Sequence, residues 1–250
     1  MKLNELTKKY DRRLTVDHIT MEFEPGKVTS IIGPNGAGKS TVLSMISRLL
    51  KYDDGSAVFE GTVIRTWNSK VLAKKLAILS QTNQTDLKLT IRELVSFGRF
   101  PYSGSRLSED DEKIVDQALD YMELRDLQDC FIDELSGGQR HRAYIAMILA
   151  QDTPYILLDE PTASLDIHHA VNLMRIVRRL SDELGKTVIV VLHEINYAAF
   201  YSDYILAMKD GKIAAYGTVD EVVTKETLHD IYEADFEILN VHGKPMCIYY

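Results

Sequence analysis

The sequence predicts an α/β fold: short parallel strands joined by crossover helices, with an antiparallel β portion near the N-terminus and an inserted helical lobe. Three observations carry the prediction. Strand-sized apolar runs at 28–32, 155–158 and 187–192 are separated by helical patterns, the arrangement of buried parallel strands with crossover helices. Residues 14–23 and 57–67 read as strands around the turn pairs Pro25-Gly26 and Asp54-Gly55. From about Asn83 to Ala150 the periodicity becomes helical.

The first parallel strand, 28–32, runs into Gly33-Pro34. After a glycine-rich turn, Val42, Leu43, Met45, Ile46, Leu49 and Leu50 recur at helical spacing, so strand, turn and helix follow one another. Thr90 with Glu93, and Ser108 with Asp111, pair a hydroxyl with a carboxylate three residues on, which starts a helix. Ile114, Val115, Ala118, Leu119 and Met122 then form an apolar stripe, and Ser136 heads a further helix through about Ala150. Asp210-Gly211 sits between apolar runs 204–208 and 212–216 and predicts a hairpin. The expected organisation is one domain: a core with its β part in 1–82 and 151–220, the helical lobe in 83–150, and an amphipathic tail in 221–250 without recognisable chemistry.

Composition narrows the function. Of 250 residues, 45% are hydrophobic and 26% charged, enough apolar surface for a core and too much for disorder. A net charge of −8, with basic runs no longer than two residues, speaks against nucleic acid as a partner. Cys130 and Cys247 lie far apart and without metal-ligand spacing, so neither a disulfide framework nor a zinc site is expected, and a reducing compartment is. No run approaches the roughly 18 to 20 apolar residues of a spanning helix, so any membrane role is expected to come through a partner.

Three stretches carry chemistry. Gly33-Pro34-Asn35-Gly36-Ala37-Gly38-Lys39-Ser40, followed by Thr41, fits G-x-x-x-x-G-K-[ST] without mismatch. Glycines let the backbone curl so that successive N–H groups face phosphate oxygens, and the next helix aims its positive end at the same place. Lys39 is expected against the β- and γ-phosphates of ATP, and the Ser40 hydroxyl on Mg²⁺. The strand 155–158 then ends in Asp159-Glu160. Asp159 suits the water shell of Mg²⁺ and Glu160 the attacking water; a merely solvated pair loses because the same chain holds a phosphate loop. The third stretch, Leu135-Ser136-Gly137-Gly138-Gln139, opens a helix with a good N-cap and glycines that leave N–H groups uncovered. It is either an ordinary capped helix or a second anion-binding end that meets the loop only across a dimer.

The whole chain resembles an ABC-type ATPase subunit. Residues 33–41 match that family's nucleotide loop, Gln81 its glutamine loop, Leu135 to Gln139 its signature, and Asp159-Glu160 its metal and base pair. Ser164-Leu165-Asp166 matches the loop that crosses the dimer interface, His193 the switch histidine, and Tyr10 the ring stacked on adenine. The resemblance implies a P-loop NTPase (RecA-like) core with an N-terminal antiparallel β subdomain and an inserted α-helical subdomain. It also implies that two copies clamp two ATP molecules, each between Lys39 of one copy and Ser136, Gly137, Gly138 and Gln139 of the other. Glu160 is then the catalytic base, His193 holds the γ-phosphate and water in line, and Gln81 joins Ser40 and Asp159 at Mg²⁺.

Within that family the chain is most similar to importer subunits for ferric siderophores, haem or cobalamin. The similarity lies in LAKKLAILSQTN, TIRELVSFGRFPY and the long stretch from LSGGQ to LDIHH. His141 departs from the commoner glutamine. The resemblance implies a homodimer on the cytoplasmic face of the membrane, docked on an integral permease near Gln81 and 84–101 and fed by an extracellular binding protein, with ferric siderophore as cargo. An exporter subunit, or a soluble ABC ATPase acting on DNA or ribosomes, is the alternative. The long coiled coil or second cassette of the latter is missing, and a small-molecule kinase would leave Ser136 and His193 unexplained. His18, His229 and His242 read as surface residues, and His141 as part of its helix's surface. His168 and His169 stand out only by following Asp166, with no ligand cluster for a metal.

Overall fold

The computed structural model describes residues 1–11, 13–80, 88–104, 106–163 and 165–249. The chain divides into two compact units, Met1–Trp67 with Met174–Tyr250, and Asn68–Leu173. The first unit opens with β1 (Lys2–Tyr10), β2 (Arg13–Glu22), β3 (Val28–Ile32), α1 (Lys39–Ile46), β4 (Asp54–Phe59) and β5 (Thr62–Val63). The second holds α2 (Ser69–Leu72), β6 (Leu76–Leu79), α3 (Ile91–Ser96), α4 (Phe100–Ser103), α5 (Glu109–Tyr121), α6 (Gly137–Ala150) and β7 (Tyr155–Asp159). The boundary falls inside α7 (Ile167–Asp182), and the chain returns through β8 (Thr187–Val191), α8 (Ile195–Tyr201), β9 (Tyr204–Lys209) and β10 (Lys212–Thr218). It closes with α9 (Val219–Val222), α10 (Lys225–Tyr232), β11 (Phe236–Val241) and β12 (Lys244–Tyr249). The α/β class, with an antiparallel β part and a helical part, is the one predicted.

In the first unit β2, β1, β4 and β5 form an antiparallel sheet in that order. Strand β3 lies between β8 and β9, parallel to both, with Val28 opposite Val188 and Ser30 opposite Ile205. Every residue of β3 and β8 is buried, which is why both strands read as continuous runs rather than alternating ones. Each fully buried aliphatic side chain here contributes roughly 1.5–3 kcal/mol. The Ser30 and Ser202 hydroxyls lie 2.6 Å apart, and Val28 N–H donates to Asp203 Oδ2 at 2.9 Å. Asp210-Gly211 joins β9 to antiparallel β10 as the turn chemistry predicts.

Two sequence expectations need correction. The strand expected over 57–67 ends at Phe59, because Glu60 and Gly61 turn the chain with φ of 46° and 74°. It returns as β5 and then a 3₁₀ turn, Ile64–Thr66. Helix α1 stops at Ile46 although the apolar spacing continues to Leu50. Arg48 takes a left-handed φ of 66°, and Leu49 is left 64% exposed.

In the second unit β6 and β7 pair in parallel, Leu76 opposite Tyr155 and Leu79 opposite Leu158. Thr90 and Ser108 form the predicted capping boxes with Glu93 and Asp111. Ile91, Leu94 and Val95 of α3, Val115 and Leu119 of α5, and Ala143, Ile145 and Ala146 of α6 are buried. Arg99, also buried, donates to Asp111 Oδ1 at 2.8 Å and to the Ala150 carbonyl at the end of α6 at 2.8 Å.

Candidate nucleotide site

The turn after β3 has the backbone that its glycines predict. Gly33, Gly36 and Gly38 have φ of 143°, 79° and 96°. At Gly33 a Cβ would stand 2.1 Å from the Met208 carbonyl oxygen, and at Gly38 2.5 Å from that of Thr15, so β9 and β2 leave room for hydrogen only. Asn35 and Gly36 are exposed at the tip, Pro34 is half-buried, and Ala37 is buried. Lys39 is 5% exposed, and its Nζ donates to Gly33 O at 2.8 Å and Pro34 O at 3.0 Å, which holds the ammonium across the loop. Gly38 caps α1 with no side-chain oxygen of its own, leaving the positive helix end to an anion. Ser40 and Thr41 are half-buried in the first turn.

His193 belongs to the same edge of the same unit. Leu192 N–H donates to Ile31 O at 3.1 Å, so His193, which is exposed, and Gly33 both follow the carboxyl ends of neighbouring parallel strands. Ligands of open α/β sheets collect at such ends. Tyr10, at the end of β1, is 47% exposed, with Lys8 Nζ 5.4 Å from its ring centroid.

The remaining candidates lie in the second unit. Four buried residues of β7 lead to half-buried Asp159 and Glu160. Glu160 has a left-handed φ of 49°, a conformation costing a non-glycine residue on the order of 1 kcal/mol or more, which turns it out of the strand direction followed by Asp159. Ser136 caps α6: Gln139 N–H donates to Ser136 Oγ at 3.3 Å, and Ser136 N–H donates to Gln139 Oε1 at 3.0 Å. Gly137 is exposed, as expected, but Gly138 is buried. Asp166, ahead of α7, accepts hydrogen bonds from the backbone and side chain of His169, which hold its carboxyl below the usual aspartate range. Gln81 and Ser164 lie outside the described residues.

Three features escaped the sequence reading. His141 is half-buried rather than on the helix surface. Burial lowers its pKa, opposed in part by a hydrogen bond to the Pro161 backbone, so it ties the signature helix to the turn after Glu160. The tail, read as free of chemistry, folds into the β11–β12 hairpin and holds the segment after His193. Asn196 exchanges hydrogen bonds with the backbone of Cys247, and the Tyr249 hydroxyl donates to the Glu194 carboxylate at 3.3 Å. His169 covers Gly138. The residues concerned are far apart in sequence, and no local pattern announces them.

Residues 16–163 match the ABC transporter family. Over 250 residues the chain is 47% identical to the petrobactin import ATP-binding protein YclP of Bacillus subtilis (strain 168), covering 100% of this chain and 99% of that one. It is 39% identical over 248 residues to the ferric enterobactin transport ATP-binding protein FepC of Escherichia coli (strain K12), covering 98% and 92%. Among solved structures, it superposes with a TM-score of 0.77 and 31% identity on the dimeric ATP-binding cassette MJ0796 bound to ADP and Pi, over 87% of this chain and 98% of that one. A buried loop lysine, a strand ending in Asp-Glu and a Ser-Gly-Gly-Gln helix start on this fold are those of an ATP-driven transport motor, and the chain belongs to the ABC transporter family. It is an ATP-binding subunit and an ATP hydrolase.

Proposed function

We propose that this chain powers uptake of a ferric siderophore, as a homodimer docked on the cytoplasmic face of an integral membrane permease that an extracellular binding protein supplies. The loop that pins Lys39 Nζ over Gly33 and Pro34 carries the ATPase half of this reading, because it fixes a positive charge where phosphate oxygens bind. The printed names of the relatives, which concern petrobactin and ferric enterobactin, support the cargo. Among the described residues no helix is long and apolar enough to cross a membrane, in keeping with a permease as the anchor.

In the working arrangement each ATP lies between the 33–41 loop of one copy and Ser136, Gly137, Gly138 and Gln139 of the other. Asp166 faces the partner copy. Tyr10 packs on the adenine, and its exposure leaves the ring available. The Ser40 hydroxyl and the Asp159 carboxylate are hard oxygen donors that suit Mg²⁺, with Gln81 as a further ligand. When bound, Mg²⁺ neutralises charge developing on the β- and γ-phosphate oxygens. Lys39 orients the same phosphates, Glu160 takes the proton of the attacking water, and His193 holds the γ-phosphate and that water in line. These are positioning and charge effects, the main requirements of phosphoryl transfer.

The test is uptake of labelled ferric siderophores, haem and cobalamin by cells lacking this chain, complemented with the parent sequence or with Lys39→Ala. Loss of ferric siderophore uptake, restored by the parent alone, is expected. Unimpaired siderophore uptake with failure of another cargo would overturn the cargo assignment. Uptake restored by Lys39→Ala would overturn the role of the loop.

A further inference from the structure

The two glycines after Ser136 are not equivalent. A Cβ built at Gly137 meets nothing within 4 Å, whereas one at Gly138 falls 1.9 Å from His169 Cδ2 and 2.4 Å from Nε2. The imidazole therefore rests on the first turn of α6, in space that exists only because residue 138 has no side chain. The opposite edge of the ring is held as well. His169 Nδ1 lies 2.8 and 2.9 Å from the two Asp166 carboxylate oxygens, and the His169 backbone N–H donates to Asp166 Oδ1 at 2.9 Å. A carboxylate can only accept, so Nδ1 carries the proton, and the Cδ2–Nε2 edge is turned to Gly138. The His168 ring meets His169 edge-on at 5.4 Å between centroids, and the Asn172 amide holds His168 in turn at 3.1 Å.

We infer that His169 is a positioning residue that clamps Asp166 to the start of the signature helix. The inference rests on the paired arrangement proposed above, in which Asp166 and Ser136-Gly137 both face the second copy. Asp166 lies in a loop and Ser136 at a helix end; without the ring between them, each would have to be ordered separately when two copies meet. Surfaces ordered in advance associate more readily, because less freedom is lost on binding. Gly138 is thus needed to seat the histidine as well as to bring backbone near a phosphate.

The experiment measures the ATP concentration that drives Glu160→Gln to pair, by sedimentation, with nucleotide binding to the single copy titrated separately. Adding His169→Ala is expected to raise the ATP needed for pairing about tenfold, the size of a typical coupling between contacting residues. Nucleotide binding at the Lys39 loop should be unchanged. His169→Asn, which keeps an N–H for Asp166, should recover part of the loss. Gly138→Ala should also weaken pairing, but by a smaller factor when His169 is already alanine, because no ring remains to be displaced. Pairing by His169→Ala at the parent's ATP concentration would overturn the inference, as would full multiplication of the two factors in the double variant. If Glu160→Gln itself failed to pair, the paired arrangement would fall, and the clamp with it.

Discussion

Asn196 and Cys247 hold each other in both directions: Asn196 Nδ2 donates to Cys247 O at 3.1 Å, and Cys247 N–H donates to Asn196 Oδ1 at 2.7 Å. A side-chain amide here acts as a strand partner, pinning the start of α8 to β12. His193 lies three residues before Asn196, so the C-terminal hairpin fixes the path of the chain just after His193. Asn196→Ala strands two backbone groups of the buried Cys247, at a cost of about 1–3 kcal/mol. The expected result is a lower unfolding midpoint, together with a fall in kcat larger than any change in KM for ATP, measured by urea titration and steady-state hydrolysis.

The same clasp protects a thiol. Cys247 is 2% exposed, and burial, with the Glu194 charge adding to it, pushes its pKa up to about 11. Alkylation of the folded protein at pH 8 should therefore modify Cys130, which is half-buried, well before Cys247. In Asn196→Ala the Cys247 rate should rise; peptide mapping after timed quenching reads both sites.

At Gly33 the loop and the sheet compete for the same space. With φ of 143° and the Met208 carbonyl oxygen 2.1 Å from a would-be Cβ, alanine fits neither the backbone angle nor the gap. Gly33→Ala is expected to shift the carbonyl that Lys39 Nζ engages and to weaken ATP binding by at least roughly tenfold, about 1.4 kcal/mol. Equilibrium titration with a fluorescent ATP analogue checks it, and unchanged affinity would show that the loop tolerates the shift.

Asp111 concerns stability rather than catalysis. Burial alone would raise its pKa, but hydrogen bonds from Ser103, from the Ser108 backbone and hydroxyl, and from Arg99 outweigh it and hold the carboxyl well below the usual range. Because the folded-state pKa lies below the unfolded one, this contribution is complete above the ordinary aspartate pKa of about 3.9 and is lost as the pH falls below it. Asp111→Asn leaves Arg99 buried without its counter-charge and should cost about 3–5 kcal/mol at pH 7. Urea unfolding at pH 7, 5 and 3 should show a constant gap between variant and parent down to about pH 4 that narrows below it.

What could be read ahead of the structure was local. Residues 33–40 spell out their own conformation, since each glycine answers a nearby backbone need, and the hydroxyl–acid pairs at Thr90 and Ser108 mark helix starts within four residues. Strand β3 was legible because burial on both faces requires an unbroken apolar run. The end of α1 was not, since Leu49 and Leu50 continue the apolar spacing while the left-handed turn at Arg48 ends the helix. The clasp between Asn196 and Cys247 and the seat of His169 on Gly138 join residues far apart in sequence, and only the folded chain brings them into contact. His141 misled for a related reason: its place on α6 suggested surface, and the turn around Pro161 covers it.

Hydrolysis in the proposed mechanism depends on Glu160 as the base that draws a proton from the attacking water. The direct measurement is steady-state ATP hydrolysis by Glu160→Gln beside equilibrium ATP binding by the same protein. A loss of roughly 10²–10⁴-fold in turnover, the usual worth of a positioned base, with binding preserved is the predicted result. Turnover at the parent rate would contradict it and return the base to another residue.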